Sequence, residues 1–475
     1  MKRLTLAAGL FVMATTAAAT SKLENLTLEQ AVQIALQNHR SLQVSQAALD
    51  MAEAQYQQAM GAFRPHVGFD AGVQRADQNR TYTFSGTIMT PATDATGLVN
   101  YITHSSLPAN SVVIPSQPMT IDMTTELFAR DTAQASLDLT YPLYTGGKQD
   151  AVIGMAKKGV AVAREEKRKT ELEVVHDVQK YYNGAVFAGQ MEQLASDTLE
   201  RFQALEDLTD RLYQNASLKV KKTDFLRSKT TTAMTRSMVD EAKYASALSR
   251  EALANAMGLP VNSELTLAPE APLPAFNADL DTLISDAMKF NPDKQRLELA
   301  VQIADDRINE ARSDSRPTIG LDANTYHVFN KYKDGLFNAD NRTGWTLGVG
   351  LKWSLFDGGM AKAATDAARA GKIKLEAQRV LLDNGLALQV KNDFLRIQRS
   401  RAQVEDSTKA ESYAEENRQL NVRAYQEEMV ETKDVIEAQL IEAFASAGVF
   451  NARHELRDAL ADLDYQVGMA LQAKP

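Results

Sequence analysis

The chain repeats itself, and this limits its possible folds more than any other feature. Residues 28–70 run parallel to residues 283–322, with LEQAVQIALQNHRSL in the first matched by LISDAMKFNPDKQ in the second across a one-residue gap. Each stretch continues for about 25 residues of helical pattern to an Arg-Pro pair, Arg64-Pro65 and Arg316-Pro317, and alternating sequence follows each Pro, HVGFD and TIGLD. Tyr-Pro-Leu-Tyr-Thr-Gly-Gly at 141–147 recurs as Trp-Ser-Leu-Phe-Asp-Gly-Gly at 353–359. The order helix–strand–strand–helix–helix is therefore expected twice, over 20–258 and 281–475, joined by a Pro-rich linker at 259–280.

Four segments alternate apolar and polar with period two, the pattern of strands with one apolar face. They are expected at about 66–77, 133–144, 318–330 and 343–355. Their apolar positions are Val67, Phe69, Ala71 and Val73; Ala135, Leu137, Leu139, Tyr141 and Leu143; Ile319, Leu321 and Ala323; and Trp345, Leu347, Val349, Leu351, Trp353 and Leu355. The two Trp residues of the chain, Trp345 and Trp353, share one face of the last strand, roughly 27 Å apart at about 3.4 Å per residue. After strand tilt, that matches the ~25 Å band between the aromatic girdles of outer-membrane barrels. Four strands cannot close such a barrel, which takes at least eight, and an open edge in lipid is costly. The chain must therefore associate with copies of itself.

The remaining sequence reads as helix, expected at 27–62, 148–215, 223–257, 282–315, 360–427 and 434–466. The segments 148–215 and 360–427 are each about 68 residues, or roughly 100 Å at 1.5 Å per residue. The others are about half as long, so two stacked end to end would match one long helix. Between the first two strands, segment 78–132 is rich in Thr, Ser and Pro, including Pro91, Pro108, Pro115 and Pro118, and is expected to be a long extracellular loop.

Composition removes other classes. A net charge of −9 argues against a nucleic-acid partner, which needs concentrated Lys and Arg. Lys2 and Arg3, the short apolar run Leu4 to Ala14, and Ala17 and Ala19 read as a secretory signal over 1–19, with Thr20 as the first mature residue. There is no cysteine, hence no disulfide and no lipid acceptor after the signal. The six His residues are scattered without metal-ligand spacing, and TGGK at 145–148 is too short for a phosphate loop, so no cofactor, no metal and no enzyme is expected.

In this order and at these distances, LTLEQAVQIALQN at 26–38, Pro65 and Pro317, the LYTGG and LFDGG turns, and YQEEMVETKDVIEAQ at 425–439 resemble the TolC family of outer-membrane efflux and secretion channels. The resemblance covers essentially the whole mature chain. It implies a mostly α protein with a membrane β-barrel part: a homotrimer forming a 12-stranded barrel in outer-membrane lipid, continued by a long α-helical periplasmic tunnel. It further implies an exit duct for a tripartite efflux or type I secretion system, working with a periplasmic adaptor (membrane fusion) protein and an inner-membrane pump of the RND, ABC or MFS type. The cargo stays open among drugs, metals and secreted proteins.

By the same resemblance the periplasmic tips fall at about 213–227 and 425–437. Tyr425 and Asp224 match members of the polar network that holds the tip closed, and Asp434 and Glu437 match the acidic positions ringing the tunnel entrance. Two positions depart from the family pattern: Glu428 stands where Gly is usual, and Val430 where an Arg is sometimes found. Lys219, Lys221 and Lys222 on the first tip and Glu427, Glu428 and Glu431 on the second suggest a charge latch, or a contact for the adaptor. A rival reading is a barrel-anchored structural or adhesive surface protein without transport, although such proteins usually carry one barrel segment at a chain end rather than a duplicated unit.

Overall fold

The computed structural model describes residues 23–215, 220–330 and 343–469; the expected signal segment and Lys219 lie outside them. In chain order the first half holds β1 (Leu23–Leu26), α1 (Leu28–Asn38), α2 (Arg40–Gly61), β2 (His66–Arg75), β3 (Arg80–Met89), β4 (Thr93–Asp94), α3 (Thr96–Thr103), β5 (Val113–Ile114), β6 (Pro118–Phe128), β7 (Asp131–Tyr144), α4 (Lys148–Gln214) and α5 (Lys222–Ala256). The second half holds β8 (Leu265–Leu267), α6 (Leu280–Phe290), α7 (Pro292–Ser313), β9 (Thr318–Asn330), β10 (Thr343–Lys352), α8 (Met360–Gln426) and α9 (Thr432–Val467). Helix predominates, and α4 and α8 are each 67 residues long, about 100 Å at the helical rise.

The chain divides into two units, one of Met1–Gln57, Ile153–Ile308 and Asp366–Pro475, the other of Gln58–Val152 and Asn309–Thr365. The first unit is helical and has two matching cores, one from each half of the repeat. Ala31 and Ala35 of α1 pack with Val174, Val178 and Ala185 of α4 and Leu253 of α5. Ala287 of α6 packs with Leu386, Val390 and Ile397 of α8 and Leu456, Ala459 and Leu463 of α9. Ala and Val at these positions let the helices approach closely.

The helices expected at 27–62 and 282–315 are each broken once, at His39 and Asn291, which both adopt extended backbone at φ near −65°. Asn291 precedes Pro292, and the residue before a Pro is disfavoured in the α region. Its side-chain oxygen then caps the next helix, accepting from the N–H groups of Asp293 (3.0 Å) and Lys294 (3.2 Å). His39 does the same through Nδ1, which accepts from the Ser41 N–H at 3.3 Å. A glycine in the left-handed region sits against each break. A Cβ on Gly258 would lie 3.0 Å from the Asn38 carbonyl, and one on Gly468 would lie 2.6 Å from the Phe290 oxygen.

The second unit is built on one antiparallel sheet of order β10-β9-β7-β2. The register sets Phe69 beside Leu137, Leu137 beside Thr325 and Thr325 beside Trp345, and likewise Val67, Leu139, Ala323 and Leu347 in one row. One face therefore gathers Val67, Phe69, Leu137, Leu347, Val349 and Leu351, and all six are exposed. The other carries Asp70, Ser136, Asp138, Asp322, Asn324 and the glycines of β10. Trp353 lies one residue past the end of β10, not on the strand, and its indole N–H donates to the Ser315 carbonyl at 3.1 Å.

The LYTGG and LFDGG turns use their variable residue as the cap of a long helix. The Thr145 hydroxyl accepts from the Gln149 N–H at 3.0 Å, and the Asp357 carboxylate from Gly359 and Ala361, both at 2.8 Å.

Segment 78–132, read from sequence as a loop, is not irregular. β3 and β6 form a ten-rung hairpin from Arg80↔Phe128 to Met89↔Pro118, ending in the β4–β5 pair and α3. Tyr82, Phe84 and Ile88 carry the alternation of a strand within a segment rich in Thr and Pro. Among the described residues no helix is long and apolar enough to cross a membrane.

Candidate functional site

The two helix–turn–helix ends, α4–α5 and α8–α9, begin their second helices in the same way. Val220-Lys221-Lys222-Thr223-Asp224 and Val430-Glu431-Thr432-Lys433-Asp434 stand 210 residues apart. Lys221 and Glu431 are the N-caps, although neither type is a good cap, and the shortfall is made up three residues on. The Asp224 carboxylate accepts from the Lys221 N–H at 3.0 Å, and that of Asp434 from the Glu431 N–H at 2.9 Å. Both aspartates also bring negative charge to a helix N-terminus, where it is favoured.

Tyr425 is buried in a small apolar core with Phe202, Leu205, Val435 and Ile436. Its phenol lies 3.1 Å from Thr209 Oγ1 and 2.9 Å from Thr432 Oγ1. The Thr209 hydroxyl already donates to the Leu205 carbonyl at 2.7 Å. Tyr425 therefore donates to Thr209 and accepts from Thr432, and one hydroxyl chain ties α4, α8 and α9. The structure does not bring Asp224 into this network: its ionic neighbour is Arg227 at 3.8 Å. Glu437, one turn beyond Asp434, is exposed.

Of the residues expected to form a charge latch, Lys219 lies outside the described residues. Lys221, Lys222 and Glu427 are exposed, and among the described residues no ion pair joins the two lysines to Glu427 or Glu431. Glu431 instead pairs with Lys433 on its own helix at 3.1 Å. Exposed pairs contribute only about 0–1 kcal/mol each. Glu428 has φ +59°, and the Met429 N–H bonds the Ala424 carbonyl at 2.8 Å, the closing bond of a Schellman turn. Gly would suit that backbone better than an L-residue.

Sequence reasoning missed two ionic clusters that bind the same three helices. Glu442 is buried, and its carboxylate pairs with Arg201 of α4 at 2.9 Å and with Arg418 of α8. The signal was available, because 442 falls on the buried stripe 435, 438, 442, 446, 449 of α9, where a carboxylate must be paired.

In the second cluster Asp462 of α9 is bonded by His176 Nε2 of α4 and by Arg396 Nη1 of α8, both at 2.8 Å, with Lys180 at 3.5 Å. Burial alone would lower the His176 pKa, but hydrogen bonds to Asp177 and Asp462 and the Asp462 charge push it up to about 9. Burial opposes ionisation of Asp462 too, yet its bonds to His176 and Arg396 hold it well below the usual carboxylate range. Asp393, beside them, is raised by burial and by the Asp462 charge.

A duplicated chain whose sheet exposes an apolar face and whose helices α5 and α9 begin in the same way has the form of an outer-membrane channel subunit. The family model for outer membrane efflux proteins matches residues 31–259 and 283–468, taking in both halves, and the chain belongs to this family, that of the TolC-like channels. It is similar to Nodulation protein T of Rhizobium leguminosarum bv. trifolii, with 24% identity over 344 residues, covering 71% of this chain and 67% of that protein.

Its fold is similar to that of the CmeC outer membrane channel of Campylobacter jejuni, with a TM-score of 0.73 at 14% identity over 100% of this chain and 96% of the other. It is also similar to the open state of the MtrE outer membrane channel of Neisseria gonorrhoeae, with a TM-score of 0.70 at 17% identity over 93% and 88% of the two chains. CmeC and MtrE are outer membrane channels, and the chain belongs with such channels and not with enzymes.

Proposed function

We propose that three copies of this chain close a 12-stranded barrel in the outer membrane, continue it as an α-helical tunnel into the periplasm, and pass cargo outward from a pump assembly. The observation that carries this is a sheet whose outer edges, on β2 and β10, have no partner strand among the described residues, and whose exposed face is apolar. Neither is tolerable in an isolated subunit in lipid, and pairing β2 of one copy with β10 of the next satisfies every edge. Channels of this family are trimers that work with adaptor proteins and inner-membrane pumps.

The helices support the same assembly. Leu381, Leu388 and Leu395 of α8 are exposed at seven-residue spacing, as are Tyr413 and Leu420, the pattern of a seam awaiting another helix.

In this reading the tips form the periplasmic entrance. Asp434 and Glu437 face the passage from each copy, and the Tyr425 hydroxyl chain keeps each α8–α9 end folded against α4. The charges of Lys221, Lys222, Glu427 and Glu431 serve as the contact for a periplasmic adaptor, behind which stands an RND, ABC or MFS pump of a tripartite efflux or type I secretion system. Co-purification from native membranes tests this. An adaptor and a pump should be recovered with the wild-type chain, and adaptor recovery should fall when Lys221 and Lys222 are changed to Glu. Recovery of neither partner with the wild type, or unchanged adaptor recovery with the variant, would contradict the corresponding part of the reading.

A further inference from the structure

The β3–β6 hairpin has two chemically distinct faces. Phe84 opposes Met123 and Ile88 opposes Met119, with Tyr82 and Ile121 on the same side, whereas Thr83 opposes Thr124, Ser85 opposes Asp122 and Thr87 opposes Thr120 on the other. The apolar side is uncovered: Tyr82, Phe84, Ile88, Met119 and Met123 are each more than half exposed. Five large side chains at about 200 Å² each, half in solvent, present about 500 Å² of apolar surface, at the limit of what a single chain leaves bare. A lone two-stranded ribbon is also only marginally stable in water. Something covers this face.

Outer-membrane lipid does not fit. The ten residues of β2 span about 26 Å at the usual strand tilt, which uses up the apolar band. The hairpin prolongs the same ribbon beyond it: Arg75 pairs with Asp131, the Ala76 N–H donates to the Arg130 carbonyl at 2.8 Å, and Arg80 pairs with Phe128.

A second copy does fit. β3 follows β2, the outer strand through which the copies join, so each hairpin rises at a boundary between protomers. Equivalent ribbons are four strands apart around a 12-stranded rim, about 25 Å allowing for tilt. Ribbons standing upright would not touch at that spacing, so contact requires them to lean inward.

We propose that the β3–β6 hairpins of the three copies pack on one another through the faces bearing Phe84 and Met123, converging over the outer mouth of the duct and narrowing it. This rests on the trimeric duct reading. The chain has no cysteine, so single thiols report cleanly in the full-length protein in lipid vesicles. Under oxidation, Phe84→Cys and Met123→Cys should give covalent dimers within the trimer, and Thr83→Cys on the opposite face should give none. Replacing residues 80–128 by an Asn-Gly turn should raise single-channel conductance.

An intact trimer by light scattering with no covalent dimer from either Phe84→Cys or Met123→Cys would overturn the packing. Quenching by brominated lipid of a fluorophore attached to the Phe84→Cys thiol would overturn it in favour of the bilayer. Unchanged conductance without the hairpin would overturn the convergence. Absence of any trimer in the wild-type chain would overturn the duct reading itself, and this inference with it.

Discussion

Glu428 ends α8 in a backbone conformation that costs an L-residue about 1–2 kcal/mol and costs Gly much less. Glu428→Gly should therefore stabilise the second tip by about 1 kcal/mol, seen as slower amide exchange at Tyr425 and Glu427; faster exchange would show that the Glu428 side chain contributes more than the strain removes. Tyr425→Phe leaves the buried Thr432 hydroxyl without its acceptor and should cost about 1–2 kcal/mol in thermal or denaturant unfolding. His176 adds a pH dependence. Its folded pKa of about 9 lies above the unfolded 6.5, so its stabilisation is complete below pH 6.5 and is lost as pH rises through 9. Melting temperature should fall between those limits by the equivalent of about 2 kcal/mol, discounted for partial exposure, and His176→Gln should flatten the fall. An unchanged slope in that variant would assign the titration to another group.

Among the elements, the sheet strands carry the most direct test of orientation. Leu347→Arg places a charge on the apolar exposed face and should cost about 2–4 kcal/mol in assembly if that face meets lipid at mid-depth. Gly348→Arg points the other way, where nothing lies within 4 Å of a new Cβ, and should be tolerated better. Equal assembly of the two would contradict this assignment of the faces. The sheet strands were legible because half-burial in any medium imposes period two, and the long helices because no Pro interrupts 148–214 or 360–426. The breaks at His39 and Asn291 were less visible, since a one-residue interruption leaves the apolar stripe nearly in phase; only Pro292 marked one of them. The Glu442 and Asp462 clusters were not legible as sites, because their partners lie on three helices distant in sequence and charged residues at 201, 396 and 418 read as solvated. The hairpin at 80–128 was hidden by its Thr-rich face, which resembles loop composition when read without its partner strand.

For the whole molecule, the outer strands β2 and β10, the exposed sheet face and the seven-residue seam of α8 all call for further copies of the chain. An epitope inserted at Asn110, in the turn between α3 and β5, should be detected on intact cells, and detection only after the outer membrane is permeabilised would invert the barrel. The central claim is that the assembled chains enclose a continuous water-filled path, and single-channel recording of the purified protein in planar bilayers addresses it most directly. Discrete conductance steps, rarer for the Leu347→Arg variant whose assembly is weakened, are the predicted result. A trimer that inserts into the bilayer but carries no current under any voltage or salt would contradict it.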